Sequence, residues 1–140
     1  MIVVAIIAIL AAIAIPQYQA YVTKAQFSES QVIADGLKLP VAEYYNLTKD
    51  CPDNTGGAAD GLSAPASYSG KYVSKAAASK VNGQCAIAVV FKGQGSVSAP
   101  LAGKTVYFLG KDNGGTYSWS CDPNDLSTIP AKYKPQACRS

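Results

Sequence analysis

The chain has 140 residues and a mass of 14.5 kDa, which fits one domain with a modest hydrophobic core. Charged residues make up only 15%, and the absence of His removes the commonest general base and the commonest metal ligand. The net charge of +3 comes from lysines spread singly along the chain, which indicates a solvated surface and argues against a nucleic-acid-binding patch. Because no Asp or Lys is grouped with a nucleophile at a recognisable spacing, we expect no enzyme activity, no cofactor and no metal site.

The first 15 residues, MIVVAIIAILAAIAI, contain no polar side chain, and the first charged residue is Lys24. A helix of this length spans about 22 Å, and continuing it to Val22 gives about 33 Å, enough to cross the roughly 30 Å hydrocarbon core of a bilayer. We therefore predict a retained membrane helix. The alternatives are a signal peptide cleaved at the Ala12-Ile13-Ala14 sequence and a buried core helix. No Lys or Arg precedes the apolar run, although a signal peptide needs one.

Beyond Pro16 the pattern becomes amphipathic, which indicates that the same helix continues. Pro16 predicts a kink or a place where the helix unwinds, or simply a boundary between two segments. Gly36 and Pro40 are weaker interruptions that we place near the end of the helix. The residues expected on the apolar face of this segment are Tyr18, Val22, Ala25, Val32 and Leu37.

Three strands, and one shorter strand within a loop, are predicted in the second half of the chain. Residues 46–82 are rich in Gly, Ala, Ser and Asp and predict a long loop with one short strand at Tyr72-Val73. Alternating apolar residues then predict strands at 84–91, 104–109 and 116–121, and the turn residues at 111–115 join the last two as a hairpin. The fold class is therefore α+β, with a long helix covering one face of a small antiparallel sheet.

The four cysteines, Cys51, Cys85, Cys121 and Cys138, have no C-x-x-C spacing and no His to complete a zinc site. This favours disulfides in an exported protein. Three pairings are open, and we favour the sequential one, 51 with 85 and 121 with 138. The segment between Cys121 and Cys138 holds three prolines, which suits a loop closed by a disulfide.

The run MIVVAIIAILAAIAIPQYQAYV resembles the N-terminal helix of bacterial type IV pilins, nearly residue for residue from Met1 to Gln19. The rest of the chain is similar to that family in layout alone. The resemblance implies the type IV pilin fold: a long N-terminal helix packed on an antiparallel sheet of about four strands, with a C-terminal loop bounded by Cys121 and Cys138. It divides the chain into a hydrophobic half-helix at 1–22, which serves the membrane and the filament core, and a globular head at 23–140.

The resemblance also implies a function, that of a major pilin of the type IVa class. Such a subunit is anchored in the bacterial inner membrane before assembly. The pilus assembly machinery then polymerises it into a helical filament of many copies. The extracellular pilus, or fimbrium, then supports adhesion to host surfaces, twitching motility, and contact with phage or DNA. The alternatives are a minor DNA-binding pilin and a type II secretion pseudopilin. Family members carry an N-methylated Phe and a Glu just before the position of Met1, so we expect residues to precede Met1.

Four groups of residues are candidates for this function. The resemblance implies that Pro16 is the point where the helix melts on assembly. It implies contacts with a partner from Lys132, Tyr133 and Lys134 in the C-terminal loop, and O-glycosylation of Ser140. The alternative is a loop that only closes the sheet. The small residues among the predicted filament-core set let helices approach closely, or merely favour helix formation. That set is Ile2, Val3, Val4, Ala5, Ile6, Ile7, Ala8, Ile9, Leu10, Ala11, Ala12, Ile13, Ala14 and Ile15.

Overall fold

The structure is a computed structural model that describes residues 1–139. It begins with one helix, α1 (Ile2–Thr48), of 47 residues and about 70 Å. The helix continues through both Pro16 and Pro40. It ends where Lys49 adopts a left-handed conformation (φ 59°, ψ 22°) and donates its backbone N–H to the carbonyl of Tyr45. The predicted single helix is present, and it is longer than the sequence pattern indicates.

The expected end of the helix near Gly36 and Pro40 is wrong, because α1 continues to Thr48. Pro40 removes one backbone hydrogen bond from the helix. However, Leu37 and Val41 are fully buried against the sheet on either side of it. Tertiary packing therefore holds the helix together across the proline.

The face of α1 that packs on the sheet differs from the expected one. Of the five expected residues only Leu37 is fully buried, and Ala25 and Val32 are exposed. The buried set includes Thr23 and Ser30, whose hydroxyls donate to the carbonyls of Gln19 (2.8 Å) and Phe27 (2.6 Å). Polar side chains that are satisfied within their own helix can occupy a buried face. The observed packing face is Thr23, Phe27, Ser30, Ala34, Leu37 and Val41.

Four antiparallel strands form one sheet in the order β1-β2-β3-β4. They are β1 (Val73–Val81), β2 (Gln84–Phe91), β3 (Thr105–Asp112) and β4 (Tyr117–Cys121). The bounds of β2 are those predicted, and β4 begins one residue later than predicted. Strand β3 begins at Thr105 and runs on to Asp112, past the expected end at 109.

Strand β1 corrects the prediction of a loop through residues 46–82. Its sequence, VSKAAASKV, is poor in large β-branched and aromatic residues, and so lacks a strong strand signal. The strand is held by its partner, because Val81 pairs with Gln84 across a two-residue turn. Asn82 (φ 51°) and Gly83 (φ 80°) both have positive φ, as the favoured hairpin turn requires. The Asn-Gly pair is the signal that the sequence reasoning missed.

One hydrophobic core lies between α1 and the sheet. The ring of Phe27 on the helix contacts that of Phe91 on β2, with centroids 5.8 Å apart. Around them the strands contribute Ile87, Val89, Val106 and Phe108, none more than 2% exposed. The core therefore belongs to the head of the molecule, which leaves the N-terminal half of α1 outside it.

The segment between α1 and β1 is attached to both. Cys51 is disulfide-bonded to Cys85 of β2, with the Cα atoms 5.2 Å apart. Asn54 is fully buried; it donates to the carbonyl of Ser63 (2.7 Å) and accepts from the backbone N–H of Ala78 (2.7 Å). This irregular segment is thus fixed by covalent and hydrogen bonds rather than by regular structure.

The C-terminal loop runs from β4 back to the helix and is closed by a second disulfide, Cys121 to Cys138. It contains three one-turn 3₁₀ helices, at Pro123–Asp125, Ala131–Tyr133 and Gln136–Cys138. The middle one contacts α1. Both disulfides therefore follow the sequential pairing.

Candidate assembly site

The N-terminal half of α1 projects from the head as an isolated apolar helix. Every residue from Met1 to Gln19 is exposed, and Ile2 and Ile9 retain 78% and 63% of their accessible surface. This segment is long and apolar enough to cross a membrane, and none of it is buried in the monomer. A core helix of the monomer, one of the alternatives, is therefore not what the structure contains.

Such an exposed surface is unfavourable in water. Burying one large aliphatic side chain is worth on the order of 1.5–3 kcal/mol, and nine lie exposed between Ile2 and Ile15. The isolated helix therefore needs an apolar environment, either lipid or other copies of itself. Ala5, Ala8 and Ala12 lie on one face by helical spacing, where a neighbouring helix could approach closely.

Of the three residues expected to contact a partner from the C-terminal loop, two are on the surface. Lys132 is exposed, and its ammonium lies 4.8 Å from the ring centroid of Tyr133. Tyr133 is half-buried and borders a cleft against Tyr18 and Val22 of α1. These two residues therefore lie where the head meets the exposed half of the helix.

Lys134 corrects the expectation of a partner contact, because its side chain is fully buried. Its ammonium lies 2.5 Å from a carboxylate oxygen of Asp122 and 2.5 Å from one of Asp125. Asp122 is also fully buried, and it accepts hydrogen bonds from the backbone N–H (2.8 Å) and hydroxyl (2.5 Å) of Ser127. Lys134 thus holds the loop together from within and cannot reach a partner.

The charge of Lys134 is stabilised by these contacts. Burial lowers the pKa of the ammonium, but the hydrogen bonds and negative charges of Asp122 and Asp125 outweigh it, so the pKa is raised above its ordinary value. The group therefore stays charged at neutral pH. The loop consequently has an ionic centre as well as a disulfide, and this rigid base presents Lys132 and Tyr133.

The remaining expected sites are on α1 and at the C-terminus. Pro16 lies in an exposed, continuous stretch of helix. Ser140, the expected glycosylation site, lies outside the described residues. The group that sequence reasoning missed is the Asp122 and Asp125 pair, because nothing in their spacing predicts that the loop closes around Lys134.

Comparison with known proteins identifies the family. Residues 23–139 match the family model for pilin, a bacterial filament protein. The chain is 41% identical over 140 residues to the fimbrial protein EcpC of Eikenella corrodens, a match that covers 100% of this chain and 86% of the relative. It is 32% identical over 154 residues to the type IV major pilin protein PilE1 of Neisseria gonorrhoeae, covering 99% and 82%. It is 36% identical over 143 residues to a fimbrial protein of Moraxella nonliquefaciens, covering 98% and 90%.

The family model covers the head, and the matches to whole relatives extend over the apolar half of α1 as well. The helix, the four-stranded antiparallel sheet and the Cys121–Cys138 bond have the arrangement that the resemblance implies. The chain belongs to the pilin family of bacterial filament subunits and has the type IV pilin fold.

Proposed function

We propose that this pilin is a major subunit of a type IV pilus and that its apolar half-helix has two successive environments. The first is the lipid of the inner membrane, and the second is the core of the filament, where the pilus assembly machinery places it among neighbouring copies. The observation that carries this proposal is the complete exposure of Met1–Ile15 on a chain whose head is otherwise well packed. The functional boundary is then between residues 1–22 and the head at 23–140.

The filament core is proposed to form from the predicted set Ile2–Ile15. Association of helices that leave lipid gains little from the hydrophobic effect, because lipid tails are as apolar as the side chains. The free energy that favours association must therefore come from close packing between the helices. The alanines at 5, 8, 11, 12 and 14 lower the local bulk of the helix, and the Ile, Val and Leu side chains between them fill the space.

Pro16 is proposed as the point where α1 unwinds during polymerisation. The proline lacks the N–H that would bond to Ala12, and the neighbouring Ile13 and Ile15 are β-branched. The contrast with Pro40 supports this role, because Leu37 and Val41 are buried beside Pro40 whereas residues 11–19 are all exposed. The helix at Pro16 therefore has no packing of its own to hold it together.

The roles of the assembled pilus are proposed by analogy with other type IV pili. A long surface fibre suits adhesion to a host surface and twitching motility, for which the retraction motors lie outside this chain. The exposed Lys132 and the half-buried Tyr133 are proposed as contacts in such a fibre. The lysines are scattered along the sequence, which favours the structural subunit over a minor pilin dedicated to DNA uptake.

An intact-mass measurement on protein sheared from the outside of expressing cells tests the proposal. We expect the chain in the sheared fraction, with added mass for an N-terminal segment and a methyl group. Reduction should raise the mass by about 4 Da, since each of two disulfides gains two hydrogens. A chain that starts at Met1 and is found only in membranes would contradict the filament and indicate an anchored domain.

A further inference from the structure

A cationic cleft lies at the base of the head, where α1 leaves it. The cleft has a volume of about 570 Å³ and lies between the helix and the C-terminal loop. Gln17 and Lys24 line it from the helix, and Lys132, Tyr133 and Arg139 line it from the loop. Three side chains that can carry positive charge therefore converge on one concave surface.

The three cations have no acidic partner within the described part of the chain. Every ion pair among residues 1–139 involves Lys38, Lys80 or Lys134 instead. Arg139 is held in place, because its Nε donates to the carbonyl of Lys134 at 3.2 Å. Within residues 1–139 the positive charge of the cleft is thus not paired with a carboxylate, and the cleft is supported on one side by a loop that an ionic centre and a disulfide hold rigid.

The position of the cleft along α1 corresponds to a membrane interface. Pro16 directly follows the apolar run, and Lys24 lies about 12 Å further along the helix axis. The headgroup layer of a bilayer begins where its hydrocarbon ends and is roughly 5–8 Å thick on each side. The backbone of Lys24 therefore lies just outside this layer, and its long side chain, which tilts towards the N-terminus of the helix, can bring the ammonium back into it. Tyr18 and Tyr21, which are 70% and 72% exposed, lie in this stretch. Exposed tyrosines at the end of an apolar helix are typical of the interface.

We propose that the cleft binds the phosphate of an anionic phospholipid headgroup while the subunit is anchored in the membrane. The site rests on the membrane stage of the proposed function. Lys24, Lys132 and Arg139 supply the charge, and Gln17 supplies a hydrogen-bonding amide. A bound headgroup fixes the depth of the helix and the orientation of the head before polymerisation. A lipid fits better than a nucleic acid, because the cations form one compact group beside the membrane-entering helix rather than a stripe.

The test uses the full chain reconstituted in phosphatidylcholine vesicles with trace amounts of spin-labelled lipid. The fraction of motionally restricted label is compared for phosphatidylglycerol and phosphatidylcholine at low and high salt. A single cation near an anionic headgroup contributes a factor of about five, so we expect at least a fivefold preference for phosphatidylglycerol that falls with salt. The variant Lys24→Gln/Lys132→Gln/Arg139→Gln should lose this preference.

A control variant changes the net charge equally at three exposed lysines that do not line the cleft: Lys71→Gln/Lys75→Gln/Lys111→Gln. It should retain the preference, and both variants should keep the near-ultraviolet circular dichroism of the native head. A preference that survives in the cleft variant, or is lost equally in the control, overturns the proposal.

Two further outcomes separate the possible failures. Added double-stranded DNA that removes the phosphatidylglycerol preference, and binds the cleft variant more weakly, would identify a nucleic-acid site and overturn the lipid site. A chain that alkaline carbonate extracts from the vesicles would overturn the membrane stage and the lipid site together. Stable insertion with no lipid preference would overturn the lipid site alone.

Discussion

Lys134 is a fully buried charged side chain of the head. A buried ammonium is unfavourable on its own, because burial removes its water without supplying a partner. Here the carboxylates of Asp122 and Asp125 both accept hydrogen bonds from the ammonium. Asp122 also accepts hydrogen bonds from the backbone N–H and the hydroxyl of Ser127. The cluster is stable only as a complete set, which makes it sensitive to the loss of any one member.

Replacing Lys134 with Met should therefore destabilise the protein more than the lost packing would suggest. The variant leaves the fully buried Asp122 carboxylate without its cation, and we expect the free energy of unfolding to fall by about 3–5 kcal/mol. Urea unfolding of the full chain in detergent micelles measures it. The control is Lys132→Met at an exposed position, expected to change stability by less than about 0.5 kcal/mol. Equal effects of the two variants would contradict the ionic centre.

The pH dependence of stability should show a loss in the alkaline range. The pKa of Lys134 is raised from its ordinary value of 10.5 by its two carboxylates, against the opposing effect of burial. The pKa of Tyr117 is raised from 10.0 by burial and by the nearby Tyr45 and Asp112. The folded state thus keeps both protons at a pH where the unfolded state releases them.

It follows that this stabilisation is complete below about pH 10 and is lost as the pH rises through the two raised values. The free energy of unfolding, measured from pH 8 upwards, should fall above pH 10. The double variant Lys134→Met/Tyr117→Phe should show a flatter alkaline profile than the native chain. A native profile that is level up to pH 12 would show that neither proton is linked to folding.

Among the elements, the β1–β2 hairpin depends on its turn more than on its strands. Strand β1 contributes mainly Ala, Ser and Lys side chains, so correct pairing rests on the two-residue connection. Gly83, with φ 80°, lies in the left-handed region, where a Cβ atom is strained.

The substitution Gly83→Ala should consequently lower the free energy of unfolding by about 1–2 kcal/mol. Gly93→Ala is the matched control, because Gly93 has an ordinary φ and open space around the added methyl group. Thermal unfolding of the two variants in micelles should show a lower midpoint for the first only. A similar midpoint for both would mean that the pairing of β1 does not depend on this turn.

The apolar half of α1 makes a prediction about assembly rather than stability. Ala8→Lys or Ala11→Lys places an ammonium in the proposed filament core, and we expect filaments to disappear from the cell surface because a charge in an apolar helix bundle is costly. The head should keep its fold, since Ala8 and Ala11 are exposed on the half of α1 that projects from it.

Electron microscopy of sheared fractions shows whether filaments assemble. Circular dichroism of the protein with its disulfides intact shows whether the head is folded. Ala58→Lys, the same change at an exposed loop position, should leave filaments intact. Normal filaments from the helix variants would refute the packing role of this face.

The elements differ in how far the sequence predicts them. Strand β2 was predicted with its observed bounds because Cys85, Ile87, Val89 and Phe91 alternate as buried residues. The packing face of α1 was predicted wrongly because Thr23 looks polar in sequence yet is satisfied by a carbonyl of its own helix. Apolar periodicity does not record whether a hydroxyl has a local partner.

In the candidate assembly site, too, some features could be predicted from the sequence and others could not. The exposed apolar helix could be predicted because composition alone sets it apart from the rest of the chain. The burial of Lys134 could not, because its partners Asp122 and Asp125 meet it only when the loop closes. Contacts between residues brought together by tertiary structure leave no periodic pattern in the sequence.

At the scale of the whole molecule, two disulfides fix the two irregular segments to a regular frame. The Cys51–Cys85 bond joins residues 34 apart and the Cys121–Cys138 bond joins residues 17 apart. In each pair one cysteine is buried and one is half-buried, so the surroundings are comparable. We therefore expect the two bonds to stabilise the folded protein by different amounts mainly because they close loops of different length.

Replacing Cys51 and Cys85 with Ser should lower the free energy of unfolding by about 4 kcal/mol, and replacing Cys121 and Cys138 by about 3 kcal/mol, on the chain-entropy model. Urea unfolding of the two double variants gives the comparison. A larger loss for the C-terminal pair would show that native contacts around the loop, rather than the entropy of the unfolded chain, set the effect of the bond.

The strand order has a consequence for how the head is made. Each strand after β1 pairs with the strand that precedes it in the chain. If the polypeptide emerges from its N-terminus, the partner of each new strand is therefore already present. Cys51 and Cys85 both arrive before Cys121, and their bond can form before a competing thiol exists. Formation of the bonds in the order in which the cysteines emerge would therefore give the same sequential pairing that the folded geometry contains.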